Sequence, residues 1–104
     1  MGTVRITVID KIARQDFQRE YGTKEFKDGD DTTCDKVKIG DTYIYSSGDG
    51  VPPGFCAWAW ADINRDVEGL KNSANFPWIK QEGTLISCCT DGLRPVFFKI
   101  ERIE

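Results

Sequence analysis

Five side chains, Cys56, Trp60, Ile63, Val67 and Leu70, recur at spacings of four, three, four and three. That spacing lines them up on one stripe of a helix. Asp62, Arg65, Asp66 and Glu68 fall on other faces, and Gly69 and Asn72 are the breakers near its end. No other segment reads as a full-length helix, so the rest of the core has to come from strands. Val4, Ile6 and Val8 alternate with Arg5, Thr7 and Ile9 over Thr3 to Lys11, the period of two of a half-buried strand. A second strand, Thr42 to Tyr45, follows the turn signal Gly40-Asp41. A third runs from Thr84 to Cys89. After the hairpin signal Asp91-Gly92, a fourth runs from Val96 to Ile103 with Val96, Phe98 and Ile100 on one face. Pro95 lacks a donor and puts the start of that strand at an edge or outside the ladder. Ala13 to Tyr21, with Phe17 and Tyr21 four apart among charges, suits a short surface helix ended by Gly22. Residues 23–35 and 46–54 read as loops, and Phe76-Pro77-Trp78 as an aromatic loop or short helical turn.

The expected order is β-α-β-α-β-β: a small α+β domain with a largely antiparallel four-stranded sheet, packed by one main amphipathic helix plus a short N-terminal helix. Parallel pairing is disfavoured because one connection alone holds a full-length helix. At 104 residues the chain is read as a single domain, 1–104. It can bury about two-thirds of its unfolded surface. A net charge of −3, with acids and bases mixed along the chain, gives no pull toward nucleic acid or an anionic membrane. Arg5, Arg94, Lys99 and Arg102 do not outweigh that balance. No segment reaches the ~18 apolar residues of a membrane span, and the first residues alternate instead of forming a signal-peptide block. Asn64, Asn72 and Asn75 are not glycosylation sequons. The expected location is the cytoplasm, with reduced thiols.

Pro53-Gly54-Phe55-Cys56-Ala57-Trp58-Ala59-Trp60-Ala61-Asp62-Ile63, then Asn75-Phe76-Pro77-Trp78, then the run from Cys88-Cys89-Thr90-Asp91-Gly92-Leu93-Arg94-Pro95-Val96 to Ile103 form a distinctive pattern. Here the chain resembles a family of small, uncharacterised, cysteine-containing proteins found mainly in anaerobic prokaryotes. The first strand, Cys34 and the Gly40-Asp41 turn also fit. The resemblance implies a stand-alone cytosolic domain and carries no established activity.

Chemistry beyond carboxylates has to run through sulfur, because the chain has four cysteines, Cys34, Cys56, Cys88 and Cys89, and no histidine. Four thiolates can complete a tetrahedral zinc or iron site, so all four are candidate metal ligands. No C-x-x-C pair is present, however, and Cys88 and Cys89 on one strand would point to opposite faces. Cys56 near a helix start is placed to be a reactive thiol, while its membership of the apolar stripe argues for burial. A disulfide between Cys88 and Cys89 would be strained. The competing reading makes the cysteines small buried hydrophobes.

Other chemistry is weaker. Asp62, Asp66 and Asp91 fit solvated helix or turn positions. The Asp28–Asp30 stretch lacks the Gly and Glu of a calcium loop, and Ser46–Gly50 lacks the Gly-Lys-Ser/Thr of a phosphate-binding loop. Trp58 and Trp60 cannot both be central to one buried face. Trp58, Trp78 and Phe97 are therefore candidates for an interaction surface, and a homodimer is one expected assembly. No catalytic residue, cofactor or small-molecule ligand is assigned. The leading expectation is a non-enzymatic domain with mainly structural cysteines and a self-association surface. The alternative is a thiol-dependent metal-binding or redox protein using Cys34, Cys56, Cys88 and Cys89.

Overall fold

A computed structural model describes residues 2–26, 32–46 and 50–104. The readings made on Asp28, Asp30 and residues 47–49 lie outside them. The elements are β1 (Val4–Lys11), α1 (Gln15–Tyr21), β2 (Thr42–Tyr45), α2 (Ala57–Lys71), β3 (Thr84–Cys88) and β4 (Val96–Arg102). They match the expected α+β order. The sheet order is β2-β1-β4-β3, with every neighbouring pair antiparallel. The first and last strands are thus the central pair, with Ile6 opposite Ile100 and Val8 opposite Phe98.

The alternation read from β1 and β4 sets the core. Val4, Ile6, Val8, Val96, Phe98 and Ile100 are buried on one sheet face, and α2 lays Ala59, Ile63, Val67 and Leu70 against it. Fully burying an aliphatic side chain of this size is worth about 1.5–3 kcal/mol. The stripe departs from expectation at its head. Cys56 is the N-cap residue, and Trp60 is half-buried, packed on Tyr45 and Phe55 with ring centroids 5.4 and 5.8 Å away. Gly69 does not end the helix, which continues to Lys71 and is capped at Asn72; Ser73 then takes φ 76°. Two acids on one flank of α2 are tied to the β3 side: Asp66 accepts from Ser87 Oγ at 3.0 Å, and Asp62 accepts from the Thr90 amide at 2.8 Å. On the other flank, the Tyr45 hydroxyl donates to Glu68.

β1 contains a bulge. Val8 faces Phe98, but Asp10, not Ile9, faces Phe97. The extra residue reverses the alternation. Asp10 joins the outer face, and Lys11, opposite Val96, is turned toward the core side. α1 is the expected surface helix, yet it buries neither Phe17 nor Tyr21; its buried residue is Gln18. The β3–β4 connection is longer than a two-residue hairpin. The strands stop at Cys88 and Val96, and Asp91 shapes the bend by accepting from the Leu93 and Arg94 amides at 3.0 and 3.1 Å. Pro95 lies outside the ladder, as its missing donor requires.

Among the described residues no helix packs on the other sheet face. At its centre Glu101 accepts from Arg5 at 3.1 Å and pairs with Lys99 at 3.3 Å. Burial pushes the Glu101 carboxyl up, but the hydrogen bonds from Arg5 and Lys99 outweigh it and leave it below the usual range. Among the described residues no helix is long and apolar enough to cross a membrane.

Candidate functional site

Three segments far apart in sequence meet above one end of the sheet. They are residues 34–37, the start of α2, and the stretch from Cys89 into β4. They enclose a cavity of about 470 Å3, within the size range of small-ligand sites. Val37, Ala59, Val96 and Phe98 give it an apolar floor. Cys34, Cys56 and Cys89 stand in its walls, with Asp35, Lys36, Asp91 and Arg94 around them.

The sequence explains how each thiol arrives there. Cys89 follows the last residue of β3, on the core side of the strand alternation. It is buried, and its sulfur accepts the Val96 N–H at 3.4 Å. Cys56 heads α2, where its side chain makes no capping hydrogen bond and no acidic residue occupies the first turn. Cys34 comes from the polar segment before β2. Lys11, aimed inward by the bulge, donates to the Cys34 and Val37 carbonyls, each at 3.0 Å, and so pins that wall. Gln18 adds a second anchor. Its amide nitrogen donates to the Thr32 carbonyl at 3.3 Å and the Leu93 carbonyl at 2.7 Å, while the Thr32 hydroxyl donates to its oxygen. One buried side chain thus joins α1 to Thr32 and Leu93, next to two of the segments that wall the cavity.

Trp58 forms part of the rim. Its indole N–H donates to Thr90 Oγ1 at 3.1 Å, and that hydroxyl donates in turn to Asp62. Asp62 is therefore occupied in fixing the rim. Asp91 is occupied in the turn and with Arg94 Nε at 3.1 Å. The candidate carboxylates of the sequence are spent on structure.

Cys88 is separated from the other three. It pairs with Phe97 on the outer sheet face and is exposed. Burial raises its pKa, and the neighbouring Cys89 and Asp62 raise it further, so its thiolate is scarcer at neutral pH than that of an ordinary surface thiol. All four cysteines are free. Among the described residues, no three cysteine, aspartate or glutamate side chains stand together in a way that could hold a metal ion. The geometry does not gather the four-cysteine zinc or iron set. The three candidate interaction residues are also dispersed. Trp58 belongs to the cavity rim, Trp78 is exposed on the α2–β3 connection against Phe76 with ring centroids 5.3 Å apart, and Phe97 is on the outer sheet face.

Lys11 and Gln18 went unread in the sequence. A single displaced residue in β1 is the only trace of the first, and a glutamine on a charged surface helix carries no signal of burial. No protein-family model, curated protein or solved structure matches this chain.

Proposed function

We propose that this chain is a cytoplasmic small-molecule-binding domain whose cavity carries reactive thiols, the thiol-dependent alternative of the sequence rather than a domain of structural cysteines. The observation that carries this reading is the arrival of Cys34, Cys56 and Cys89 from three separate segments at one cavity. Thiols that serve only as small hydrophobes have no need to share a cavity. With no histidine in the chain, sulfur is its nucleophile, and the apolar floor supplies the burial that a ligand requires.

Site-resolved alkylation of the native, reduced protein tests it. Iodoacetamide should label Cys56 and Cys34 in the folded state and Cys89 much more slowly. Filling the floor with Ala59→Leu should slow labelling of Cys56 without changing Cys88, with the fold checked by circular dichroism. If Cys34 and Cys56 resist labelling until the protein unfolds, they are packing residues and the reading fails.

Self-association is a second proposal, favoured by the uncovered sheet face, where Ile44 and Ile86 are 50% and 46% exposed. A stable dimer buries roughly 1,200–2,000 Å2 in total, and a sheet face is the broad surface available for it. Sedimentation equilibrium should show a mass that rises with concentration and falls back in Ile86→Lys. A constant monomer mass overturns the proposal.

A further inference from the structure

Two exposed charges stand at the cavity beside its thiols. Asp35 and Lys36 both line it, and neither side chain has a hydrogen-bond or ion-pair partner among the described residues. The other two charged residues are engaged with each other, Arg94 Nε with Asp91 at 3.1 Å. One uncommitted cation and one uncommitted anion therefore stand next to an apolar floor and three thiols.

We propose that the cavity accepts a zwitterionic low-molecular-weight disulfide, whose arms each carry an ammonium and a carboxylate, and that Cys56 exchanges with it. The inference rests on the reading of the cavity as a ligand site and names its substrate class. Lys36 meets the carboxylate of one arm and Asp35 its ammonium, while the sulfurs lie toward the apolar floor. A ligand with a single net charge would satisfy one of these residues and be repelled by the other. Cys56 is the attacking sulfur because it lines the cavity, is only partly buried, and its side chain makes no capping hydrogen bond at the head of α2. Cys89 is buried with its sulfur held by Val96, and Cys88 faces the other side of the sheet.

The step is a thiol–disulfide exchange. The Cys56 thiol gives its proton to solvent, and its sulfur attacks one sulfur of the ligand. The Cys56–ligand S–S bond forms as the ligand's own S–S bond breaks. The departing arm leaves with the electron pair and takes up a proton. One disulfide and one thiol are consumed, and one mixed disulfide and one thiol are made.

The test compares three disulfides on the reduced, full-length protein without oxygen: cystine, neutral hydroxyethyl disulfide and dicationic cystamine. Each rate is divided by the rate of the same disulfide with a free thiol in solution, and adducts are located by peptide mass spectrometry. The expected result is one adduct, on Cys56, formed about threefold to tenfold faster with cystine than with the other two, the range two exposed charge contacts supply. Asp35→Asn with Lys36→Gln should erase that preference, bringing the normalised cystine rate down to that of hydroxyethyl disulfide. Cys56→Ser should abolish the adduct and Cys88→Ser should not. Equal normalised rates, or an adduct on Cys88 first, overturn the inference. If iodoacetamide labels native Cys56 but cystine shows no preference, this inference falls and the ligand cavity stands. If Cys56 resists both reagents until unfolding, both fall.

Discussion

Gln18 is 3% exposed, and its amide is the only side-chain link that reaches the Thr32 segment and the Leu93 loop together among the described residues. Removing it leaves the buried Thr32 carbonyl and hydroxyl without Gln18, while the Leu93 carbonyl keeps the Arg14 N–H at 3.0 Å. An unmet buried polar group costs about 1–3 kcal/mol. Gln18→Leu keeps the volume and loses the bonds. It should lower stability in urea unfolding by about that amount and speed iodoacetamide labelling of Cys34, whose wall it anchors, while Cys88 labels as before. An unchanged midpoint with unchanged Cys34 labelling would show that the amide is dispensable. Residues of this kind leave little mark in a sequence. Val4, Ile6 and Val8 were legible because alternation records burial directly. Lys11 was not, because one bulged residue reverses the alternation and turns a charge inward without altering composition.

At the scale of elements, the stripe of α2 and the four strands were legible because each repeats its pattern over enough residues to outweigh local exceptions. Helix ends were less so. Gly69 looks like a stop by propensity, yet the helix passes through it to Asn72, the other breaker read in the sequence, whose backbone and side-chain amides both donate to the Glu68 carbonyl. The far end of the chain then reinforces that end. The Arg102 guanidinium donates to the Leu70 and Ala74 carbonyls at 2.8 and 2.9 Å and to Asn75 Oδ1 at 2.9 Å. It adds a charged donor to the Leu70 carbonyl in the last turn and places positive charge at the negative end of the dipole. Arg102→Ala should cost roughly 1–3 kcal/mol in chemical denaturation, with faster amide exchange at the C-terminal turn of α2. A loss under half a kcal/mol with unaltered exchange would place the cap elsewhere. The Asp91-Gly92 hairpin signal was right about direction and wrong about tightness. The Asp91 side chain makes the bend itself, and the wider loop is what lets Thr90, Asp91 and Arg94 reach the cavity.

At the scale of the whole molecule, the cavity was not legible, since no spacing relates residue 34 to 56 or 89. What could be read was the opposition of Cys88 and Cys89, because adjacent strand residues point to opposite faces. That divided the thiols into a cavity set and an outlier. The central pairing of the first and last strands has a consequence for synthesis. β1 is made first but finds its inner partner only when β4 has been made, and until then Val4, Ile6 and Val8, together with the apolar stripe of α2, have no complete sheet to cover them. The β3–β4 hairpin is a local closure, whereas pairing β1 with β4 joins residues as far apart as Val4 and Arg102 and carries the larger loop-closure entropy. A growing chain therefore keeps these apolar faces open until β4 has been made, and completes its core only with that pairing.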